Sequence, residues 1–266
     1  MNIIKSILKI KNFKDVLFDY YLPRNTRIDY VVRMRNGLNV CIRPKKRRQV
    51  GDIDIFKEII IDGEYKVGEI IKEGDIVVDI GANIGIFSLL VSKEVANVKI
   101  YSYEPHEGNF EMLNKNVLLN KSYNITTFNE AVLGEEGNSF LFISKENTGG
   151  HSIYNNGNMQ AEAINGVSLS NVIKERKPNV LKIDCEGAEY EMFLKTPISR
   201  IKEIDKIILE QHITPETLKR FDKRFIVRYL KKCGFNITIL RKIVYPSEGE
   251  FWIMLAEKPL RKVNTT

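Results

Sequence analysis

The sequence predicts an α/β fold: a doubly wound, mostly parallel seven-stranded sheet with helices on both faces. A closing antiparallel hairpin ends it, and an N-terminal helix and strand extension precedes it. Three observations carry this expectation. From about residue 70 onward, short β-rich apolar runs alternate with segments of helical period. The first of these runs ends in a glycine-rich turn. The last two runs follow one another without a helix between them.

The elements follow in order. "NIIKSILKIKNFKDVLF" (2–18) reads as one amphipathic helix, with Ile3, Ile4, Ile7, Leu8, Phe13, Val16 and Leu17 along one side and lysines on the other. Such a stripe docks on the body of the protein or makes a peripheral contact with a membrane surface. "DIVVDIG" (75–81) is the first strand of the alternating region and "IGIFSLLVSKEV" (84–95) its helix. "VKIYSYEP" (98–105) is a second strand closed by proline, and "NFEMLNKNVLLN" (109–120) a second helix with Phe110, Leu113, Val117 and Leu118 on one face. "ITTFNEAVL" (125–133) reads as a single third strand. Residues 134–166 break the rhythm: "SFLFIS" (139–144) suits a strand, and the polar "KENTGGHSIYNNGNMQ" (145–160) a surface loop or a lid.

The alternation then resumes. "VSLSNVIKER" (167–176) reads as a helix, and "NVLKID" (179–184) and "IDKIILEQH" (204–212) as strands. "PETLKRFDKRFIVRYLKKCG" (215–234) reads as one helix with a glycine stop, and "FNITILRK" with "FWIMLAEK" as the hairpin. Strands alternating with helices give a parallel sheet whose ligands gather at the carboxyl ends of the strands. The expected division is a basic extension, residues 1–68, and a Rossmann-like domain, residues 69–260.

Charge is unevenly spread. The chain carries 41 basic and 34 acidic residues for a net +7, yet residues 1–49 alone hold thirteen Lys/Arg against three Asp. "RPKKRRQV" (43–50) is the sharpest basic point. It suits a solvated face or attraction to an anionic surface, a polyanionic glycan or nucleic acid. No apolar stretch reaches the length of about 18 residues that a membrane span needs. The start of the chain lacks a long apolar h-region and a small-residue cleavage site. Cys41, Cys185 and Cys233 are odd in number, far apart and outside any CxxC pair, which argues against a disulfide framework and a zinc site. A reducing cytoplasm is the expected compartment.

"IVVDIGANIGIFS" (76–88) points to a cofactor. Gly81, Asn83 and Gly85 occupy the strand-to-helix turn, where glycine permits positive φ and close backbone approach to a ligand. The turn is not the P-loop GxxxxGK[ST], and it is one residue tighter than the dinucleotide GxGxxG. Glu104 ends the second strand about 20 residues on, where a carboxylate suits a ribose diol. Glu130 and Ala131, after the third strand, are placed to frame an adenine.

With "VVDIGANIGIFSLL", "YEP", "NEAVLG", "LKIDCEGAEYEM" and "IILEQH" on the page, the chain resembles the FkbM family of S-adenosyl-L-methionine-dependent methyltransferases, class I Rossmann-like proteins. "IFKEIIIDGEY" (55–65) also resembles the lead-in common to that family. The resemblance implies methyl transfer to a hydroxyl group, often of a sugar, glycan or related metabolite, with S-adenosyl-L-homocysteine as the second product. It implies that Asp79, Gly81, Asn83 and Gly85 line the methionine part of the cofactor. Glu104 would then hold the ribose, and Glu130 with Ala131 would lie near adenine. Ala82 and Pro105 complete the expected cofactor-binding set.

Asp184 closes the fourth strand of the alternation, beside the switch-point crevice. It is the candidate base for an acceptor hydroxyl, with Glu186 beside it. Glu210 and His212 are two apart and share a strand face, so the three strand-end groups form an Asp/Glu/His cluster. The favoured reading is an acid–base set in which His212 titrates near neutrality. A divalent metal such as Mg or Mn is the other reading and is not favoured. Glu189 suits the first turn of the next helix, His151 lies in the loop, and His106 lies at the rim of the cofactor pocket.

Two alternatives stand beside an O-methyltransferase. An RNA methyltransferase would use the basic N-terminal segment, but no NPPY-like or NLP-like motif follows the fourth strand and no aromatic stacking platform is evident. A non-catalytic nucleotide-binding domain would not require the intact glycine turn and the acidic strand ends. The expected partner is therefore a small-molecule or glycan hydroxyl acceptor rather than nucleic acid. The acceptor's identity and the oligomeric state are left open.

Overall fold

The computed structural model describes residues 7–21, 28–46, 49–144, 147–154, 159–245 and 249–259. The extension begins with a helical turn at residues 7–9 and helix α1 (Phe13–Tyr21), followed by the hairpin β1 (Tyr30–Arg33) and β2 (Asn39–Ile42). Helix α2 (Asp52–Phe56) runs directly into a π-helical turn, Lys57–Asp62, and a short α3 (Val67–Ile70) follows.

The single helix expected over residues 2–18 is interrupted, and its first five residues lie outside the described ones. The break falls at residues 10–12 because tertiary hydrogen bonds claim the backbone there. Lys11 N–H donates to the Arg33 carbonyl, and Asn12 Nδ2 donates to Val31 O at 2.8 Å. Ile10 and Val16 are fully buried, whereas Leu8 is 69% exposed, so the stripe docks in part.

The alternating region supplies β3 (Ile76–Ile80), α4 (Ile86–Glu94), β4 (Lys99–Tyr103), α5 (Glu107–Asn120) and β5 (Ile125–Phe128). A side sheet follows: β6 (Ala131–Leu133), β7 (Gly137–Ile143) and β8 (Gln160–Ser168). The expected third strand over 125–133 thus splits in two. Asn129 turns away to donate to the carbonyls of Glu104 and Pro105, and β6 then pairs with β8. The strand β8 was not legible in the polar sequence that forms it.

The remaining elements are α6 (Leu169–Arg176), β9 (Val180–Ile183), α7 (Glu189–Lys195), α8 (Ile198–Ile201), β10 (Lys206–Ile213), α9 (Pro215–Leu218), α10 (Phe225–Lys232), β11 (Asn236–Tyr245) and β12 (Gly249–Glu257). The helix expected over 215–234 is broken between α9 and α10. Asp222 restarts it, its side chain accepting from Arg224 N–H at 2.8 Å.

The central sheet has the order β11-β12-β10-β9-β3-β4-β5. The five strands from β10 to β5 are parallel, β12 runs antiparallel to them, and β11 pairs antiparallel with β12 and so runs in the same direction as the five. The chain runs outward from β3 through β4 to β5 and later returns to place β9 on the other side of β3. The topological switch point therefore lies between β3 and β9. Every residue of β9 is buried, as expected for a parallel strand covered on both faces.

One core cluster joins α4 to the extension, including Val32, Val40, Phe56, Ile60 and Ile71, while a second cluster packs α6, α7 and α10 on the opposite face. The extension thus forms one wall of the domain. Asparagines on α5 tie it to that wall. Cys41 N–H donates to Asn116 Oδ1 at 2.7 Å, and Asn116 Nδ2 donates to the carbonyls of Cys41 and Ile84 at 3.0 Å each. The buried face of α5 is Asn109, Met112, Leu113 and Asn116, whereas Leu118, expected on it, is 70% exposed.

Candidate functional site

The floor of the site is a row of polar residues inside the sheet. Lys182, Asp79 and Ser102 are in register across β9, β3 and β4 and so share one face. Ser88 of α4 donates to Asp79 Oδ2 at 2.7 Å and lies 2.8 Å from Ser102 Oγ. Lys182 Nζ stands 3.3 Å from Asp79 Oδ1 and 3.5 Å from Asp184 Oδ2, and donates to the Gly81 carbonyl at 3.0 Å. Burial works to lower the Lys182 pKa, but Asp79 and then Asp184 outweigh it and raise it. The ammonium therefore stays charged inside the sheet.

Above this row the β3–α4 turn bends back over the switch point. Gly81 has φ +73°, and a Cβ there would stand 1.7 Å from the Asp184 carbonyl oxygen. Only glycine fits between the ends of β3 and β9. The N–H groups of Gly81 and Ala82 donate to the Tyr103 carbonyl, joining the turn to β4. Glu104 accepts from Asn83 N–H at 2.7 Å and His106 N–H at 3.0 Å. Burial raises its pKa to about 7, against the hydrogen bonds that lower it. The native carboxyl then holds its proton to higher pH than the unfolded chain does. Its contribution to stability is full below about pH 4.5 and is lost as pH rises through about 7.

The expected cofactor residues thus fall into three groups. Gly81, Ala82, Asn83, Gly85, Glu104 and Pro105 converge at the ends of β3 and β4. Asp79 lies beneath them, fully buried, holding Ser88 and Lys182. Glu130 sits between β5 and β6, where its charge acts on the Tyr103 hydroxyl, and Ala131 is buried against Leu141 and Ile164 in the side sheet.

The ends of β9 and β10 bring the other expected residues together. His212 Nε2 lies 3.3 Å from Glu186 Oε2, 3.8 Å from Glu210 Oε1 and 4.0 Å from Asp184 Oδ1. Ligand atoms of Asp184, Glu210 and His212 lie within 4.8 Å of one another, the one such group among the described residues. Burial acts to lower the His212 pKa, but Glu186, Glu189 and Glu210 outweigh it and raise it well above the usual value. The surrounding carboxylates therefore favour the imidazolium over the neutral ring. Burial, with Asp184 adding to it, raises the Glu210 carboxyl well above the carboxylate range. Glu186 holds φ +51°, a strained conformation for a residue with a side chain.

Three more residues complete the cluster: Lys182 and Tyr65, which the sequence reading missed, and Glu189, which it read only as a first-turn residue of the next helix. Glu189 is fully buried, and its carboxylate accepts from Gly187 N–H at 2.8 Å and His212 N–H at 2.7 Å. It clamps the β9–α7 turn to β10. Tyr65 is delivered by the extension, with its hydroxyl 3.3 Å from Asp184 Oδ2 and 3.1 Å from Glu210 Oε2. A charged residue in an all-buried strand was the available signal for Lys182. Nothing local signalled Tyr65.

The described part of the polar loop, residues 147–154, lies across these strand ends. Thr148 N–H donates to the Val50 carbonyl, and Asn109 Nδ2 donates to the Thr148 carbonyl at 3.3 Å. Ser152 Oγ donates to the Glu186 carbonyl at 2.7 Å, and the His151 ring lies 4.4 Å from that of His106. Burial and the neighbouring His106 lower the His151 pKa to about 4, so the ring is neutral. These residues touch both the cofactor-side and the carboxylate-side groups. The basic segment is partly absorbed by the fold: Arg43 pairs with Asp52 at 2.8 Å and Lys45 with Asp54 at 2.8 Å. Arg47 and Arg48 lie outside the described residues. An open cavity of about 430 Å³ near Leu38, Lys93 and Lys121 is at the amino side of the strands, away from these groups.

No helix among the described residues is long and apolar enough to cross a membrane. A family model described as the methyltransferase FkbM domain matches residues 79–237. The chain is 26% identical over 168 residues to the hexuronic acid methyltransferase AglP of Haloferax volcanii, covering 61% of this chain and 63% of that protein. It thus spans less than two thirds of that relative. It is 23% identical over 257 residues to methyltransferase 1 of Beauveria bassiana, covering 85% of this chain and 97% of that one. The solved structure of Trm5b from Pyrococcus abyssi superposes with a TM-score of 0.50 at 16% identity, covering 89% of this chain and 57% of that chain. That likeness concerns the fold alone.

Proposed function

Because the chain belongs to the FkbM methyltransferase family and is an S-adenosylmethionine-dependent methyltransferase, we propose that it methylates a hydroxyl group of a sugar, glycan or related metabolite, with a carboxylate as general base. The observation that carries this reading is the place of Asp184. It ends β9 at the switch point, against the Gly81 turn, with Lys182 beside one of its oxygens. The Haloferax relative, a hexuronic acid methyltransferase, supports a sugar as the acceptor. The division into an extension, residues 1–68, and a methyltransferase domain, residues 69–260, goes with this reading.

The residues present suit the cofactor. Its sulfonium, ammonium and ribose hydroxyls all seek carboxylate acceptors, and the turn offers Glu104 above a fully buried Asp79 whose Oδ1 has no hydrogen bond. Gly81, Ala82, Asn83, Gly85 and Pro105 would complete its binding site, with Glu130 and Ala131 toward the adenine end. When bound, it supplies a methyl group on a sulfonium centre. The protein's own part is to place the acceptor, exclude water under the 147–154 loop and take the hydroxyl proton. Asp184 takes it in this reading, and Glu186, Glu210 and His212 set the charge around it. His212 as an imidazolium stabilises the carboxylates rather than acting as the base.

Calorimetric titration tests the cofactor site. S-adenosylmethionine and S-adenosylhomocysteine are expected to bind the wild-type chain, and Glu104→Gln is expected to weaken both by about 10-fold or more, the loss of a hydrogen bond to a charged acceptor. Equal affinity in the variant would remove Glu104 from the ribose role. Metal dependence is a separate measurement. Turnover is expected to survive dialysis against EDTA, since the Tyr65 hydroxyl already sits between Asp184 and Glu210. Loss with EDTA and recovery with Mg²⁺ would turn the cluster into a metal site.

A further inference from the structure

Tyr65 lies outside the segment that matches the family model and 119 residues from Asp184 in the chain, yet it enters the centre of the cluster. Its approach is built. The π-helical turn Lys57–Asp62 ends at Gly63, whose φ is +68°, and Lys66 follows with φ +47°. The two left-handed residues bracket Glu64 and Tyr65 and turn the tyrosine inward. The ring is 3% exposed and stands edge-on to Phe87, with centroids 5.5 Å apart, and Lys182 Nζ is 5.8 Å from its centroid. Glu64 beside it is anchored by Arg241 at 2.6 Å.

The hydroxyl has one proton and two carboxylate neighbours, at 3.3 Å and 3.1 Å. It can donate to one of them only. Asp184 Oδ2 also faces the Lys182 ammonium at 3.5 Å.

We propose that Tyr65 is a positioning residue for methyl transfer: its hydroxyl, set between Asp184 Oδ2 and Glu210 Oε2, holds the Asp184 carboxylate so that Oδ1 takes the acceptor's proton. In that step the acceptor O–H bond breaks, the proton moves to Oδ1 and the electron pair stays on the acceptor oxygen. The fold's extension thereby completes the acid–base set of the sheet. This assignment rests on the hydroxyl-methylation reading.

The test compares Tyr65→Phe, which keeps the ring against Phe87, with Asp184→Asn and the wild type. Melting temperature serves as the check on folding. Tyr65→Phe is expected to lower kcat by about 10-fold or more, leave the cofactor's Kd unchanged and move the acidic limb of the pH–kcat profile to higher pH, because the ionised Asp184 loses a donor. A wild-type kcat or an unmoved pH limb in Tyr65→Phe overturns the proposal. Failure of the underlying reading looks different: Asp184→Asn would then turn over like the wild type.

Discussion

Asp184→Asn is expected to lower kcat by about 10²- to 10⁴-fold, roughly 3–5 kcal/mol of barrier, while cofactor affinity is retained. The substitution keeps the shape of the side chain, and its carbonyl can still accept from Tyr65. What it removes is the capacity to take a proton from a hydroxyl, which is a weak nucleophile until that proton leaves. Asp184 is suited to the task because its side chain is 27% exposed at the strand end, while Glu189 and Asp79 are fully buried. Burial and Asp184 raise the Glu210 carboxyl, and the carboxylates around His212 raise its imidazole, so both hold their protons more tightly than usual, which disfavours either as the base. Single-turnover rates with saturating cofactor would measure the loss. A fall of less than about 10-fold would move the base to Glu186 or to solvent.

Lys182→Met is expected to destabilise the fold by about 3–5 kcal/mol, because removing one partner of a buried pair leaves an uncompensated charge. Asp79 is fully buried, and its Oδ1 has no hydrogen bond, with the Lys182 ammonium 3.3 Å away. Methionine replaces the aliphatic stem of the lysine and leaves the carboxylate alone. In a domain of this size the loss corresponds to a fall in Tm of roughly 10 °C. The double variant Lys182→Met with Asp79→Asn is expected to recover much of it, since the orphaned charge is then gone. Thermal melts of the wild type and the two variants decide the matter. A wild-type Tm for Lys182→Met would mean that Ser88 and the sheet satisfy Asp79 without the ammonium.

Much of the architecture was legible because it rests on local rules. β3, β9 and β10 are short apolar runs between breakers, and their period identified them. The glycine turn was equally readable, although part of its cause differs from the expected one. Gly81 is required by the carbonyl of Asp184 as well as by any ligand. Glu210 and His212 were placed on one face by the two-residue repeat of a strand, and they do share it. The errors cluster where long-range hydrogen bonds override a local pattern. The helical period continues through Ile10–Asn12, but β1 claims those backbone groups. The strand period continues through residue 133, but Asn129 is drawn to the end of β4.

The candidate site divides along the same line. Residue type and spacing were enough to single out the acidic strand ends, the glycine turn and the family, because each is a short motif whose chemistry is local. Protonation and partnership were decided by the folded chain. Strand order sets Lys182 beside Asp79, the carboxylates gathered around His212 raise its pKa against burial, and the extension's packing carries Tyr65 to Asp184. The first and last of these outcomes join residues more than a hundred positions apart, and all three depend on the low dielectric that packing creates; no local period records any of them.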